Sequence, residues 1–491
     1  MLNRCFRPAP YLLTIHQRLL DFSPEAVLVG GAVRDLLLNR SIRDLDYVVT
    51  GNGLTIGRKL ADALGAAYYP LDKARKVARV VWNQEGKTLV VDISSLIGMT
   101  LEEDIRRRDF TINAIGILPD GGLFDPQDGV GDLDHRLLRP CSPDSMLTDP
   151  VRTLRAVRFL SAYALEPSPG LDALAWYAAP RLASVSPERQ RDELMKVMAL
   201  SEPHLAVDRM TDWRISDVIL PELLALQDVM QPQPHRFDGY LHSLQVLGQA
   251  AWLDQWVRDH VEARNELERM IQQRLKTLRP ALLSYLQEPL SAQRPRWLWL
   301  RFAALAHDWG KASAFREDET GTIHFYGHEK ISGQLATNWL ERYHCAKSEI
   351  SFVRSICEGH MRPMNLFIEG KKPSKRAIFR LYRDLGQAAP ASALLFLADF
   401  LGARGKDVSL DELDRALEHL LALLKPLLES DTAPVPQPLL SGKDLMALFE
   451  LPPGPRIGVL RNALQEAQAV GEVRTREQAI GFITTLLSDE F

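Results

Sequence analysis

Hydrophobic and polar positions follow two different periods along this chain. Over residues 26–120, short β-rich runs such as AVLVGG, VARVVW and TLVVDISSL alternate with helical segments such as LTIGRKLADALG. From about residue 150 onward, the pattern is almost entirely helical. It predicts an α+β protein in which a small mixed sheet is followed by a predominantly all-α remainder.

Chain length and two proline-rich breaks predict several parts. A chain of 491 residues exceeds the usual size of one hydrophobic core. The helical period fails at residues 220–234 and 425–438, where turn-forming residues collect. We therefore predict four parts, which are a sheet-containing head, a helical neck region, a second helical domain and a helical tail, at residues 1–145, 146–228, 229–430 and 431–491.

Composition and charge narrow the class of protein. Hydrophobic residues make up 46% and charged residues 25%, which is ordinary for a globular protein. The net charge is only −4, so any nucleic-acid surface must be local, at arginine clusters such as those at 104–108 and 139–158. Four cysteines without a CxxC pair indicate neither a disulfide framework nor a zinc ribbon. No secretion signal or run of ~18 apolar residues occurs, so we expect a cytoplasmic protein without a membrane partner.

The first chemical cluster lies in VLVGGAVRDLLLNRSIRDLDYVVTG. A predicted strand ends at Gly30 and Gly31, whose lack of side chains lets backbone amides approach a triphosphate. Asp44 and Asp46 occupy alternate positions of the next strand, so both carboxylates face one side and can share divalent cations. Asp92, in LVVDISSL, is a plausible third carboxylate. Either piece alone is better explained as a turn or a solvated strand edge, but together they predict a phosphoryl-transfer site.

The order of four motifs resembles a known family. GGAVRD followed by DLD resembles the first motif of class II tRNA nucleotidyltransferases and bacterial poly(A) polymerases. IRRRDFTINAIG, DPQDGVGDL and LTDPVRTLRAVRFLSAY then follow in the order that the family has. The resemblance implies a nucleotidyltransferase-type head in which Asp44, Asp46 and Asp92 are catalytic and Asp44 and Asp46 hold Mg²⁺.

The same resemblance implies a set of nucleotide-binding residues. Arg108 and Asp109 would bind the triphosphate and the ribose, including its 2′-hydroxyl. Arg155 and Arg158 are interpreted equally well as phosphate contacts or as a charged helix face with surface ion pairs. The full predicted set comprises Gly30, Gly31, Arg34, Arg108, Asp109, Asn113, Asp149, Arg152, Arg155 and Arg158.

Asp149 and Arg152 match the family's base-reading pair. With a spacing of three residues, they are predicted to lie on one face of one helix. A carboxylate accepts from an exocyclic amine and a guanidinium donates to ring nitrogen or carbonyl, so the pair imitates a Watson–Crick partner for C or A.

A short link after the third carboxylate suggests a subgroup. CCA-adding relatives carry a flexible loop of a dozen or more residues there, associated with switching the pocket from CTP to ATP, whereas this chain has only LIGMT. The absence resembles CC-adding enzymes. We expect two cytidines to be added from CTP to the 3′ end of tRNA, and a separate A-adding enzyme to act next. A full CCA-adding enzyme that also uses ATP, or an A-adding enzyme, stays open; a poly(A) polymerase is disfavoured because no strongly basic tail is present.

A second cluster of histidines and aspartates lies in the predicted domain 229–430. One histidine in an apolar helix says little, but imidazoles and carboxylates brought together from several helices bind a divalent transition metal. The order H…HD…H…H…D resembles the HD phosphohydrolase superfamily and implies phosphatase or 2′,3′-cyclic phosphodiesterase activity. Ni²⁺, Co²⁺, Mn²⁺ and Mg²⁺ are not ranked by these ligand types. The predicted ligands are His242, His307, Asp308, His328, His360 and Asp399.

Two further features, one in the second domain and one in the tail, each have two interpretations. Lys311, one turn beyond Asp308, could hold a substrate phosphate or be an ordinary exposed lysine. Residues 439–483 resemble the C-terminal domain with which bacterial relatives hold the tRNA body, or form a helical packing module.

Two rival classes of protein remain in view. One is an HD phosphohydrolase with a vestigial head, and the other is a non-catalytic RNA-binding protein. Intact Asp44 and Asp46 disfavour both.

Overall fold

The structure, a computed structural model, divides into two compact units. It describes residues 10–42, 44–84, 86–291, 294–367, 371–428 and 435–488. The head unit comprises residues 1–186 and 212–218, and the helical unit comprises residues 187–211 and 219–491. Residues 429–434 of the predicted second linker lie outside the described residues. The finer division into four parts stays a prediction.

The head unit is built around one seven-stranded sheet. Its strands, in chain order, are β1 Val27–Val29, β2 Asp44–Val49, β3 Ala67–Asp72, β4 Val77–Gln84, β5 Lys87–Ser95, β6 Gly116–Ile117 and β7 Leu123–Phe124. Their order across the sheet is β3-β4-β5-β2-β1-β6-β7. All neighbouring pairs are antiparallel except β2 and β5, which run parallel. The predicted α+β class with a small mixed sheet is confirmed.

Strand β2 shows why the sequence folds this way. Leu45 and Tyr47 are buried on one face, and the intervening Asp44 and Asp46 project from the other, as the two-residue period requires. On the helix that covers the sheet, a Cβ at Gly57 would lie 2.5 Å from the Cβ of Ala78. Glycine therefore lets this helix approach the sheet closely.

Helices and two further short strands complete the head unit. A two-stranded parallel pair joins β8 Leu137–Leu138 to β9 Glu166–Pro167. The helices are α1 Pro10–Phe22, α2 Gly31–Leu37, α3 Gly53–Leu64, α4 Leu101–Arg106, α5 Gly129–Asp134, α6 Ser145–Thr148, α7 Val151–Tyr163 and α8 Leu171–Ala178.

The helical unit contains most of the remaining elements. Its strands form two small antiparallel pairs, β10 Pro289–Ser291 with β11 Arg294–Pro295, and β12 Arg316–Glu317 with β13 Ile323–His324. The helices beyond α8 are α9 Pro187–Met198, α10 Pro203–Asp212, α11 Ser216–Ile219, α12 Pro221–Leu224, α13 Gly239–Asp259, α14 Glu266–Leu275, α15 Arg279–Gln287, α16 Arg296–Ala306, α17 Lys311–Ala314, α18 His328–Arg342, α19 Lys347–Gly359, α20 Met361–Leu366, α21 Lys375–Leu385, α22 Ala389–Arg404, α23 Leu410–Leu424, α24 Gly442–Leu448, α25 Pro455–Val470 and α26 Arg476–Ser488.

A buried ion pair joins three helices at the centre of the helical unit. Arg301, on α16, is fully buried, and its guanidinium donates to both carboxylate oxygens of Asp254 on α13 at 2.5 and 3.0 Å. The same side chain donates to the carbonyls of Met198 and Leu200, at the end of α9. Because all these groups are satisfied, the charge can be buried there.

One apolar stretch is long enough to cross a membrane by length and composition. Among the described residues, it is the helical stretch 375–404, and 89% of its most apolar window is buried inside the protein. A buried core helix of a globular domain passes the same test.

Candidate active sites

The turn after β1 brings a glycine next to a carboxylate and a guanidinium. Gly30 has a φ of 78°, which favours glycine. A Cβ there would lie 3.1 Å from Nη1 of Arg108 and 3.4 Å from Oδ2 of Asp46. The helix α2 begins at the next residue, Gly31. Gly30 therefore lies next to one predicted cation ligand and one predicted phosphate contact, and Gly31 lies next to the guanidinium of Arg34.

The three predicted carboxylates lie on the neighbouring strands β2 and β5. Asp46 and Asp92 are directly opposite each other in the parallel register, with Asp44 two residues before Asp46. Arg79 donates to both oxygens of Asp92, at 2.8 and 2.7 Å. Burial raises the pKa of Asp46 to about 6; the charge of Arg108 opposes this, and those of Asp92 and Asp44 add to it.

This arrangement fits a divalent cation at two of the three carboxylates. Asp44 and Asp46 crowd like charges on one face, a repulsion that a cation relieves. Asp92 is neutralised by Arg79, and among the described residues no triad of head carboxylates has its ligand atoms within 4.8 Å. The role of Asp92 stays a prediction.

Asp109 is the centre of a buried hydrogen-bond network. The residue is 7% exposed, and its oxygens accept from the Phe110 amide, from Asn113 and from Arg155. Asn113 in turn accepts from Nη1 of Arg34 at 2.5 Å. Burial alone would raise the pKa of Asp109, but the Arg155 charge and these hydrogen bonds hold it below its ordinary value. Arg155 therefore makes an ion pair with a buried aspartate and not at the surface, its phosphate contact stays a prediction, and Asp109 holds its neighbours in place.

The base-reading pair departs from the prediction in one respect. Asp149 is not on the helix of Arg152: it lies in extended backbone between α6 and α7 and is followed by Pro150. A residue before proline is disfavoured in the helical region, which is the physical reason for the break. The side chains still approach, with Nε of Arg152 3.9 Å from Oδ2 of Asp149. The Arg152 guanidinium also donates to the carbonyl of Arg107 at 2.8 Å, which fixes its direction.

Arg158 lies one turn beyond Arg155 on α7. Its guanidinium carbon is 4.3 Å from the centroid of the Phe159 ring. Phe159 also has the guanidinium carbons of Arg34 at 5.3 Å and of Arg155 at 5.4 Å, so this aromatic ring contacts three of the predicted nucleotide-binding arginines.

Sequence reasoning missed an exposed aromatic pair on α8. Trp176 and Tyr177 are 48% and 60% exposed. The guanidinium of Arg214 lies 5.0 Å from the Trp176 ring, and that of Arg181 lies 5.9 Å from the Tyr177 ring. Aromatic and arginine faces together stack unpaired RNA bases. In a helical sequence pattern, two adjacent aromatic residues cannot be told apart from residues of the core. Only their exposure in the structure identifies them as a surface pair.

The second cluster assembles in the helical unit as predicted. Asp308 lies at its centre, with Oδ1 3.2 Å from Nε2 of His328 and 3.6 Å from Nε2 of His360. Its other oxygen, Oδ2, lies 3.4 Å from Nε2 of His242 and 3.2 Å from Nε2 of His307. The histidines come from α13, the end of α16, the start of α18 and the end of α19.

Two further charged groups complete this cluster. Asp399, on α22, places Oδ1 3.1 Å from Nε2 of His242. Lys311 is 6% exposed, and its Nζ lies 2.6 Å from Oδ2 of Asp308 and 2.5 Å from Oε1 of Gln231. The interpretation of Lys311 as an ordinary exposed lysine is therefore wrong, because its ammonium is held inside the site.

The donor set of this cluster fits a divalent metal ion. Nε2 of His307, Oδ1 of Asp308 and Nε2 of His242 are buried and make no hydrogen bond of normal geometry. Buried polar atoms without partners cost about 1–3 kcal/mol each, so several that converge on one point indicate a ligand. Burial would raise the pKa of Asp308, but the charges of His307 and Lys311 hold it well below its ordinary value. Asp308 is therefore ionised, as a metal ligand must be.

Burial also keeps one histidine of this cluster neutral. It lowers the pKa of His360 to about 3, and the charge of His307 adds to this effect. His360 therefore offers a lone pair, as a metal ligand requires.

The fold of the head unit and its first site place it in a class of nucleotide-transferring head domains. Residues 26–139 match the family described as Poly A polymerase head domain. Residues 174–226 match the family described as probable RNA and SrmB-binding site of polymerase A.

Full-length relatives narrow the class to one family. An A-adding tRNA nucleotidyltransferase of Deinococcus radiodurans is 33% identical over 470 residues, covering 94% of this chain and 95% of the relative. A CC-adding tRNA nucleotidyltransferase of Thermus thermophilus is 29% identical, covering 94% and 93%. This chain belongs to the tRNA nucleotidyltransferase family. A solved structure of a CCA-adding enzyme without ligand shares the fold, with a TM-score of 0.60 and 18% identity, covering 98% of this chain and 95% of that one.

Proposed function

We propose that the head unit adds cytidines to the 3′ end of tRNA from CTP without a template. The observation that carries the proposal is the placement of Asp46 beside Gly30 and Arg108, with Asp44 two residues earlier on the same strand, in a chain of this family. The tRNA 3′-hydroxyl attacks the α-phosphate of CTP, a new phosphodiester bond forms, and pyrophosphate leaves.

The chain's own residues position this reaction. Asp44 and Asp46 would hold Mg²⁺, which supplies activation of the 3′-hydroxyl and neutralises charge on the departing pyrophosphate. Arg108 directs Nη1 to the space beside Gly30, where it can contact the triphosphate. Arg152 and Asp149 read the base, with the Arg152 guanidinium held by hydrogen bonds to the carbonyls of Arg107 and Arg108.

The link between β5 and α4 supports a product that ends in CC. It has five residues, 96–100, and both of its ends are tied to α4. The amide of Ile97 donates to Asp104 at 3.0 Å, and that of Met99 donates to Glu103 at 2.7 Å. Because these hydrogen bonds fix the link to α4, it cannot make the large movement that is expected of the long loop in CCA-adding relatives. We therefore propose that the pocket stays selective for CTP and that a separate enzyme adds the A from ATP.

An A-adding activity is the second candidate for the same site. It is favoured by the relative from Deinococcus radiodurans, which is A-adding and 33% identical.

A direct test supplies CTP alone to a tRNA that ends before its CCA. The proposal predicts two added nucleotides and a stop, read at single-nucleotide resolution. No addition to this tRNA, with addition of ATP to a tRNA that ends in CC, would favour the A-adding candidate.

The pH dependence of addition is expected to depend on Mg²⁺ concentration. Because burial raises the pKa of Asp46 to about 6, at limiting Mg²⁺ the rate should fall about tenfold per pH unit below that value. An ordinary aspartate would cause such a fall only below about pH 4. Since protons and cations compete for the carboxylate, raising Mg²⁺ should move the midpoint to lower pH. Rates from pH 5 to 8 at two Mg²⁺ concentrations check this, and a midpoint that stays fixed would contradict it.

Replacing Arg152 with alanine is expected to weaken base selection. Loss of its guanidinium removes a donor worth about 1–3 kcal/mol of discrimination, so the preference for CTP over UTP should fall ~10- to 100-fold. The measurement is kcat/KM for each nucleotide on the same tRNA. Arg18→Ala, at an arginine 59% exposed on α1, is the matched control and should leave the preference unchanged. An unchanged preference in Arg152→Ala would contradict the base-reading role.

Removing the aromatic pair on α8 is expected to weaken tRNA binding without slowing the chemical step. Base stacking on an aromatic is worth about 1–3 kcal/mol, so Trp176→Ala with Tyr177→Ala should raise the KM for tRNA at least ~10-fold and leave kcat near its original value. Leu13→Ala, at an exposed apolar residue on α1, is the control. An unchanged KM for tRNA would show that the pair does not contact RNA.

We further propose that the helical unit hydrolyses phosphate esters, as a phosphatase or 2′,3′-cyclic phosphodiesterase that repairs damaged tRNA ends. The carrying observation is the convergence of six imidazole and carboxylate groups, among which Nε2 of His242, Nε2 of His307 and Oδ1 of Asp308 are buried and make no hydrogen bond of normal geometry. A divalent ion held there, Ni²⁺, Co²⁺, Mn²⁺ or Mg²⁺, would lower the pKa of water for attack on phosphorus. Lys311, held beside Asp308 by Gln231, places a positive charge where a substrate phosphate would bind.

This second activity is tested with chelator-treated protein. Each of the four ions is added back separately, with p-nitrophenyl phosphate and 2′,3′-cyclic AMP as substrates. Metal-dependent hydrolysis of either supports the proposal, and no hydrolysis with any ion would contradict it.

A further inference from the structure

We infer that His235 is a seventh metal-binding residue of the helical unit, on the side of the cluster formed by His242 and Asp399. The inference rests on the proposed metal site around Asp308 and extends it. His235 lies in the proline-rich segment before α13, outside the H…HD…H…H…D pattern.

The position of His235 places it among the ligands. Its ring centroid lies 4.8 Å from that of His242. One ligand atom each from His235, His242 and Asp399 lie within 4.8 Å of one another. Two other such groups share Asp308, one with His242 and His307 and the other with His328 and His360. With His235, the side of the cluster at Asp399 has three possible metal ligands that do not include Asp308.

His235 also makes the hydrogen bond that three of the four predicted histidine ligands make. His307, His328 and His360 each hydrogen-bond through Nδ1 to the backbone carbonyl three residues earlier, at 2.7–2.8 Å. Such a bond holds the proton on Nδ1 and leaves the Nε2 lone pair for a metal. His235 makes the same bond, from Nδ1 to the carbonyl of Pro232 at 3.1 Å.

A buried histidine elsewhere in the helical unit shows the contrast. His419 is 3% exposed but belongs to none of the three ligand groups. It bonds the carbonyl of Pro363 through Nε2, so the nitrogen left without a hydrogen bond is Nδ1 and not Nε2. The combination of convergence and the Nδ1 bond is what distinguishes His235.

The segment that carries His235 is fixed on both sides. Before it, Gln231 accepts from Lys311 at 2.5 Å and donates to the carbonyl of Phe237 at 3.2 Å. After it, Asp238 caps α13 by accepting from the amide of Leu241 at 2.8 Å. The segment is thus tied to a residue of the site and to the helix that carries His242.

The donor types define the class of ion. Two imidazoles with one carboxylate suit transition metals such as Co²⁺, Ni²⁺ or Mn²⁺ better than Mg²⁺, which prefers oxygen ligands. Removing one imidazole should therefore weaken transition-metal binding at this side of the cluster at least tenfold.

The test is a Co²⁺ titration of the full chain, followed by its visible absorption, which reports coordination independently of turnover. His235→Ala and His235→Gln are expected to lower the affinity at least tenfold and to change the spectrum. His344→Ala, at an exposed histidine paired with Glu188, should titrate like the original protein. The circular dichroism and thermal unfolding of each variant, compared with those of the original protein, verify that the helical unit is folded.

The outcomes distinguish failure of the whole metal site from failure of the His235 assignment alone. If the original protein binds no Co²⁺, the proposed metal site fails, and the inference fails with it. If the original protein binds Co²⁺ and both His235 variants titrate identically to it, the inference alone is overturned. The same holds if turnover falls in those variants but Co²⁺ binding does not, since His235 would then act on the substrate.

Discussion

Asp46→Asn is expected to reduce nucleotide addition by at least ~10³-fold, because a cation-binding carboxylate contributes several kcal/mol to stabilising charge in the transition state. The amide is isosteric but neutral, so the strand and the contacts around Gly30 should persist. Single-turnover extension of a tRNA with radiolabelled CTP measures the loss. Hydrolysis of phosphate esters by the helical unit should be unchanged.

Asp62→Asn, at an exposed position on α3, is the matched control and should extend tRNA normally. Retention of more than a tenth of the original rate by Asp46→Asn would contradict the assignment of this carboxylate. Loss of both activities would contradict two independent sites.

His307→Ala is expected to have the opposite effect. The side chain is fully buried, with Nε2 3.2 Å from the central Asp308, so its loss removes one ligand and leaves the others incomplete. Metal-dependent hydrolysis should fall at least ~100-fold, and cytidine addition should continue at its original rate. Initial rates of both reactions on one protein preparation give the comparison.

His260→Ala, at the exposed end of α13, serves as the control for His307→Ala. Undiminished hydrolysis in His307→Ala would show that the buried cluster is structural and not catalytic.

Much of the head could be predicted because its signals are local. A two-residue period identifies strands, and two glycines after a strand or two aspartates at alternate positions restrict what the backbone can do. The break before α7 also has a local signal, since Pro150 disfavours helix at Asp149, whereas the i, i+3 spacing alone favours one continuous helix. The ion pair of Arg79 with Asp92 could not be predicted, because it joins two strands whose register the sequence does not specify.

In the cluster of the helical unit, one residue could not be predicted from local signals. The six predicted ligands lie on helices or in the turns at their ends, and their order along the chain indicates the cluster. His235 was missed because QPQPH is typical of a linker, and turn-forming residues say nothing about which surface a segment covers. Whether such a segment lies against a site depends on tertiary contacts such as that of Gln231 with Lys311.

The most direct test of the central claim offers the protein three tRNA ends, before CCA, after one C and after CC, each with CTP and ATP together. Products are read at single-nucleotide resolution. A CC-adding enzyme is expected to extend the first two ends to CC and to leave the third unchanged. A terminal A on any of them would contradict this expectation, because the short link after Asp92 would then still permit the change from CTP to ATP.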